Sequence, residues 1–490
     1  MEKYDSAFGK NDIRGIYGED ITEELFNATG KGYVKYLMKE SGLSSNEIWI
    51  TAARDARLHS PSLTKALIEG IISTGANVVD LGLAPTPIGY YSEAHGIPSD
   101  ITDGQKITGA AIVTASHNPS EYNGLKMTYC GCTLNEEEIK EVKEFTYSSL
   151  QASKNENKNG QLKTYNLVAD YIKDMLSRFG KNCEGVKVVV DSANATGGIV
   201  APELYKKLGC EVIELFSEPD GNFPNHHPNP SVEATLDTLK EVVIHEKADL
   251  GIAFDGDSDR IGVVDNEGRY LTGDKLLLIY AQDMIKQRDD VPSVVSEVKC
   301  SQVLFDTIDK IGGKSVMAKT GHGYIKSKMK ETGAILAGEM SGHTFFKDRY
   351  YGFDDAIYAG CRILEIVSKH KKINSNFSIS ELLKPFDEVY SSPELRYPCP
   401  NELKKSVLEA VKSKIQNNPQ IFGFEIKDII TLDGMRIVFD GGFALIRQSN
   451  TEPVFTLRFE AKTKDVANSF KQTMTEIIDE ELKLKAARLG

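Results

Sequence analysis

At 490 residues the chain is too long for a single hydrophobic core, and about three or four domains are expected. A formal net charge of -13 argues against a nucleic-acid surface, which needs a basic face, but a local cluster of Arg and Lys can still hold an anionic substrate. No apolar run of about 18 residues occurs, so no membrane span is expected. The opening Met-Glu-Lys-Tyr-Asp-Ser lacks the apolar stretch of a signal peptide. Seven cysteines, an odd number without a Cys-x-x-Cys pair, read as reduced thiols of a cytoplasmic protein; Cys130 and Cys132 are the only close pair.

In chain order, Arg14 stands first, between turn residues in Lys10-Asn11-Asp12-Ile13-Arg14-Gly15-Ile16-Tyr17-Gly18. It reads either as a solvated side chain or as a loop arginine that reaches a phosphate through paired donors. The pattern then predicts a helix over 23–38, a strand over 47–52 ending in Arg54-Asp55-Ala56-Arg57, a helix over 61–74 and a strand over 77–81. That alternation implies right-handed βαβ units in a largely parallel sheet. A later apolar run, Gly109 to Val113, reads as a buried strand. It stops at Thr114-Ala115-Ser116-His117-Asn118-Pro119, where turn chemistry begins and Lys126 follows. Open α/β sheets place ligands at such strand ends. A serine beside His and Lys suits a nucleophile or a phosphoryl carrier, and a polar loop without chemistry is the alternative.

Residues 150–163 are polar and aperiodic and read as a surface linker or hairpin at a domain boundary. A helix over 168–179 and a strand over 186–191 open the second domain, followed by Ser192-Ala193-Asn194-Ala195-Thr196-Gly197-Gly198, which fits no phosphate-loop spacing and reads as structural. Helices are expected over 201–208 and 232–245. The strand over 249–254 then runs into Asp255-Gly256-Asp257-Ser258-Asp259-Arg260. In an extended loop alternate side chains share a face, so the three carboxylates would converge and repel. A divalent cation relieves that conflict, and hard oxygen ligands suit Mg²⁺; the loop lacks the terminal Glu of an EF-hand. Arg260 is placed to hold a phosphate beside the metal.

The third domain is expected from about Leu271, with a helix to about 287 and a strand over 293–298 that ends at Lys299-Cys300-Ser301. Next, Lys319-Thr320-Gly321-His322-Gly323 precedes a helix over 325–330, whose start suits an anion. The apolar stretch 334–337 leads to Gly338-Glu339-Met340-Ser341-Gly342-His343, whose donors and acceptors suit sugar hydroxyls. The last domain differs. Asp440-Gly441-Gly442 marks a hairpin, Phe455, Leu457 and Phe459 alternate on a strand, and 466–478 carry a helical apolar stripe. Arg447-Gln448-Ser449-Asn450-Thr451-Glu452-Pro453 lies between strands and offers a phosphate-binding set.

The four loops together resemble those of the α-D-phosphohexomutase family, in the family's order and over essentially the whole chain. The resemblance implies an α/β fold of four domains around a central cleft. The first three have mixed α/β/α sheets of shared topology, and the fourth is a smaller α+β domain. The expected divisions are 1–163, 164–270, 271–385 and 386–490. Glu339-Met340-Ser341 is similar to the phosphomannomutase/phosphoglucomutase branch; the phosphoglucosamine branch typically has Gln where Met340 stands.

The implied reaction interconverts hexose 1-phosphate and hexose 6-phosphate through a phosphoserine at Ser116 and a hexose 1,6-bisphosphate, which also acts as activator. One Mg²⁺ per chain would be held by Ser116, Asp255, Asp257 and Asp259. Glu339 and Ser341 would grip sugar hydroxyls, and Arg447, Ser449, Asn450 and Thr451 the non-reacting phosphate. Arg14, His117, Lys126, Lys299, His322 and His343 would line the cleft, Lys126 being the first choice for the proton because nearby cations can lower a lysine pKa. A monomer or homodimer is expected. The competing readings are a phosphoglucosamine mutase, a magnesium-dependent sugar phosphatase and a silent phosphosugar-binding protein.

Overall fold

The structure is a computed structural model that describes residues 3–151, 159–449 and 452–487. The chain divides into two compact units, Met1–Gly273 with Ser341–Ile379, and Asp274–Met340 with Ser380–Gly490.

The first unit holds two sheets. One orders its strands Ile13–Ile16, Tyr122–Tyr129, Gly109–Val113, Trp49–Arg54, Asn77–Leu83 and Leu162–Thr164; the last four run parallel, Tyr122–Tyr129 runs against them, and Ile13–Ile16 pairs antiparallel with Tyr122–Tyr129. Local chemistry sets the helices beside it. Glu23–Ser41 begins where the Thr22 hydroxyl accepts the Leu25 N–H and ends where Gly42 turns left-handed at φ 72°. A cap of that kind stabilises a helix by about 1 kcal/mol. The apolar faces of this helix and of Ser60–Ser73 close one core with the sheet, including Leu25, Phe26, Leu37, Leu67 and Ile71.

Two expectations change here. Arg14 lies on a strand, paired opposite Gly124, because Ile13 and the backbone of its neighbours complete the sheet edge. Part of the expected linker lies outside the described residues, but Leu162–Thr164 adds an exposed edge strand parallel to Asn77–Leu83.

The second sheet orders Tyr270–Leu271, Ile261–Asp265, Leu250–Phe254, Lys187–Asp191 and Glu211–Leu215, the last three parallel. The helix expected over 232–245 is a 3-10 turn, Glu233–Leu236, followed by an α-helix, Asp237–Glu246.

In the second unit Lys314–Ala318, Ser293–Glu297 and Leu336–Gly338 are parallel neighbours in that order. The remaining sheet is antiparallel: Tyr390–Ser391, Val454–Ala461, Gly442–Gln448, Met435–Phe439 and Asp428–Ile430. Helices Asn401–Asn417 and Lys464–Ala486 supply Leu403, Val407, Phe470 and Met474 to its core.

The three α/β sheets share one plan that the bare sequence does not display. In each, three parallel strands lie in the spatial order second, first, third along the chain, and the first sheet adds Leu162–Thr164 beyond its second. The loop after the third strand carries Ser116 in one sheet, Asp255 in the next and Glu339 in the third. Among the described residues, no helix is long and apolar enough to cross a membrane.

Candidate active site

In the first unit, Gly109–Val113 and Leu250–Phe254 deliver their loops to one another. Ser116, 1% exposed, adopts a left-handed φ of 50° and donates from Oγ to Asp255 Oδ2 at 2.8 Å. For a non-glycine residue that backbone costs on the order of 1–3 kcal/mol and persists only where surrounding bonds hold it. His117 Nδ1 lies 3.2 Å from the same hydroxyl.

The three carboxylates do converge, but through a tight turn rather than through extended alternation. Ser258 N–H bonds back to the Asp255 carbonyl, Ser258 takes φ 60°, and the N–H groups of Asp259 and Arg260 bond to Asp255 Oδ1. Gly256 is required by close approach, since a Cβ there would stand 2.3 Å from the Ser116 carbonyl oxygen. The loop read as structural, 192–198, supports this turn. Its Thr196 hydroxyl lies 3.2 Å from both the Gly256 carbonyl and the Ser258 hydroxyl.

Asp255, Asp257 and Asp259 are fully buried, with ligand oxygens within 4.8 Å of one another. Lys126 Nζ bridges Asp257 Oδ2 at 2.6 Å and Asp259 Oδ2 at 2.5 Å, and Thr86 Oγ1 donates to Asp257 Oδ2 at 2.6 Å. Burial, then the charges of Asp259 and Asp257, push Asp255 well above the ordinary carboxylate range. Burial acts the same way on Asp259, but Lys126 and His343 outweigh it and hold that group well below.

The set fits a divalent cation. Oδ1 of Asp257 and Oδ1 of Asp259 are buried without a hydrogen-bond partner, so each has an oxygen to give. Two such hard oxygens, with the Asp255 carboxylate beside them, suit Mg²⁺. Asp259, His343 and Asp354 form a second cluster of metal-ligand type, but with a nitrogen in it.

Lys126 overturns its expected behaviour. Burial would lower it, but the two carboxylates in contact outweigh burial and hold its pKa well above normal. Its near neighbours are anions, so the ammonium stays charged. His117 goes the other way: burial, then the charges of Arg260 and Arg14, keep its imidazole well below the usual value and therefore neutral at pH 7.

Arg14 is spent on the serine loop. Its Nη1 donates to Asn118 Oδ1 at 2.7 Å and its Nη2 to Asp12, although its Nε is buried and unpartnered. Arg260 Nε donates to His343 Nε2 at 3.3 Å, and His343 Nδ1 is 3.0 Å from the Ser341 hydroxyl. Ser341 and His343 thus join the Asp255 turn within the first unit.

The second unit carries the other expected residues. Lys299 Nζ pairs with Glu394 at 3.1 Å and lies 3.6 Å from Glu297. Burial opposes its charge, but Glu297 and Glu394 raise it. Glu339 Oε1 accepts the Gly321 N–H at 2.8 Å, at the start of the helix His322–Thr332. Arg447 Nε is held by Asp433 at 3.0 Å, and Asp433 also takes the Thr320 N–H. Ser449 Oγ accepts the Glu452 N–H at 3.2 Å; Asn450 and Thr451 lie outside the described residues.

Sequence reasoning missed several supports. Glu297 accepts the Met340 N–H at 2.8 Å; Arg436 donates to the Cys300 carbonyl at 2.8 Å and also to that of Val298. Lys404 ties the Ser449 and Glu452 carbonyls at 2.8 Å each. None lies in a motif, and no local pattern marks them.

A buried serine hydroxyl against a cation-competent carboxylate turn, on repeated α/β sheets with an antiparallel fourth, defines a phosphoryl-handling fold. The chain belongs to the phosphoglucomutase/phosphomannomutase family: the three alpha/beta/alpha domains of that description match residues 5–153, 169–268 and 272–388, and its C-terminal domain matches 394–477. It is 38% identical to the phosphomannomutase/phosphoglucomutase of Pseudomonas aeruginosa, over 95% of this chain and 94% of that one. It is 36% identical to the phosphoglucomutase of Neisseria gonorrhoeae, over 96% of each. A crystal structure of a phosphoglucomutase/phosphomannomutase family protein from Burkholderia thailandensis matches with TM-score 0.86 and 33% identity, over 97% of both chains.

Proposed function

We propose that this chain is a phosphohexomutase, an isomerase that interconverts hexose 1-phosphate and hexose 6-phosphate of mannose, glucose or both, with Ser116 as the phosphoryl carrier. The observation that carries the reading is the Ser116 hydroxyl, 2.8 Å from Asp255 at the edge of three buried carboxylates.

Asp255, Asp257 and Asp259, with an oxygen on Ser116, would hold one Mg²⁺ per chain. When bound, the cation supplies positive charge to the phosphoryl oxygens. The remaining work belongs to the side chains. Ser116 gives up its phosphoryl group to a sugar hydroxyl: the bond from Oγ to phosphorus breaks, one to the sugar oxygen forms, and the hydroxyl proton leaves. The hexose 1,6-bisphosphate then returns its other phosphoryl group to Ser116, so the enzyme is restored and the phosphate has changed carbon. His117 is neutral and suited to accept a proton, whereas Lys126 is charged and suited to donate one or to offset phosphoryl charge. Arg14 orients the serine loop, and Arg260 puts a cation beside it, its Nε donating to His343 Nε2.

Glu339 and Ser341 are each assigned to sugar hydroxyls. Lys299, His322, Arg447, Ser449, Asn450 and Thr451 are assigned to the substrate phosphate and its orientation. Hexose 1,6-bisphosphate serves as activator by rephosphorylating Ser116. We further take the protein to be cytoplasmic, a monomer or homodimer, with no nucleic-acid partner.

The test is a coupled assay with glucose 1-phosphate and with mannose 1-phosphate, with and without the bisphosphate, alongside intact mass of the purified protein. Hexose 6-phosphate formation, stimulation by bisphosphate and one added phosphoryl group are expected. Release of inorganic phosphate without isomerisation would instead make it a phosphatase.

A further inference from the structure

The turn Arg54-Asp55-Ala56-Arg57 ends the first long strand of the first sheet and takes no part in the chemistry above. Its second arginine is among the most buried large side chains of the protein, 1% exposed. Arg57 Nη2 donates to the Ser116 carbonyl at 2.9 Å and to that of Asn118 at 2.7 Å. Nη1 donates to the carbonyls of Pro119 at 2.5 Å and Tyr122 at 3.1 Å. Nε donates to Asp55 Oδ2 at 3.0 Å. A guanidinium has five N–H donors in a fixed plane, and all five are spoken for. Four of them go to one seven-residue loop that begins at Ser116.

Asp55 completes the arrangement. Its carboxylate, 2% exposed, accepts the Arg57 N–H, the Ser60 hydroxyl at 2.6 Å and the Thr114 hydroxyl at 2.9 Å. Thr114 Oγ1 in turn accepts the Ser116 N–H at 2.8 Å. Both backbone polar groups of Ser116 are therefore tied to this turn, the carbonyl directly and the N–H through one hydroxyl. Such bonds are what a left-handed serine needs, since its φ of 50° has no support of its own. The ring of Phe223 lies 5.2 Å from the guanidinium carbon and closes another side.

We propose that Arg57, balanced by Asp55, is a positioning residue for the phosphoryl-carrying serine: it holds the Ser116 backbone in the conformation that aims Oγ at the carboxylate turn, without meeting substrate. The inference rests on the reading of Ser116 as phosphoryl carrier. A lysine would not substitute. It keeps the charge but offers three donors from one point instead of five from a rigid fork.

The test compares wild type, Arg57→Met and Arg57→Lys with glucose 1-phosphate and the 1,6-bisphosphate, well below each variant's melting temperature. A displacement near 1 Å at a reacting group costs about 100-fold in rate. Arg57→Met is therefore expected to lose about 100-fold in kcat with KM changed less than about threefold, and to regain part of it when guanidinium ion is added. Arg57→Lys is expected to fold and to lose at least about tenfold in kcat at unchanged KM. If Arg57→Met does not unfold cooperatively, Arg57→Lys decides. A lysine variant with wild-type kcat and only a lower melting temperature makes Arg57 a plain structural residue and overturns the proposal, as does a loss confined to KM. Wild-type protein without mutase activity would instead refute the reading of Ser116.

Discussion

Gly256→Ala is a one-methyl perturbation of the contact between the two loops of the first unit. Gly256 does not need left-handed backbone, so its cost as alanine lies in the contact alone. The added Cβ would stand 2.3 Å from the Ser116 carbonyl oxygen, about 1 Å inside an ordinary carbon–oxygen approach of roughly 3.3 Å. The oxygen cannot simply retreat, because Arg57 holds it at 2.9 Å. The carboxylate turn has to back away, carrying Asp255 on one side and Asp257 on the other. A separation of that size between Ser116 Oγ and its carboxylates is expected to cost about 100-fold in kcat, and overpacking about 1–3 kcal/mol in stability. The assay is the coupled mutase reaction at saturating bisphosphate. The emission of Trp49, the sole tryptophan and 1% exposed, reports that the first sheet is folded. A variant with kcat within about threefold of wild type would refute the claim that these loops must touch at atomic distance.

Ser116→Ala should abolish nearly all turnover and leave no phosphoryl adduct in the intact mass, with the fold retained; appreciable turnover would remove Ser116 from its role. Asp257→Asn should cost about 100-fold or more in Mg²⁺-dependent rate, and unchanged Mg²⁺ affinity by titration calorimetry would make the carboxylate turn structural. Native protein should titrate two thiols rapidly, Cys130 and Cys132, and all seven when denatured, because the other five are buried and unpaired; fewer than seven would reveal a disulfide. His226 lies 3.0 Å from buried Asp191. Burial opposes its charge, but the hydrogen bond and charge of Asp191 outweigh it and raise its pKa. The stability from that pair is full below the unfolded value of about 6.5 and is lost as pH rises through the raised folded value. His226→Asn should therefore lower the melting temperature more at pH 6 than at pH 9; an equal loss at both would deny the pair its charge.

The loops that carry chemistry were readable because each is contiguous: an apolar strand stops and a short run of functional residues follows. Ser116 and the Asp255 turn, which the sequence places about 140 residues apart, meet at a bond. What could not be read were long-range partners. Thr86 on Asp257, Arg57 on Ser116 and Lys404 on Ser449 sit in stretches with no unusual composition, and one sequence holds no record of which distant residues touch. The state of Lys126 is hidden from the sequence for the same reason. Cations expected along the cleft imply a lowered pKa, whereas Asp257 and Asp259, far away in the chain, raise it. The Gly and Asn that flank Arg14 mimic turn signals, and sheet pairing with Gly124 overrides them.

The recurrent plan of the three α/β sheets has an evolutionary consequence. A duplicated ancestor would present the same empty socket three times, and each copy could then specialise without disturbing the scaffold beneath it. One socket has come to carry a hydroxyl, one a trio of acids and one a glutamate. On the proposed assignment of Glu339 to the sugar hydroxyls, selection for a different sugar would act first on the third socket, leaving the other two as inherited.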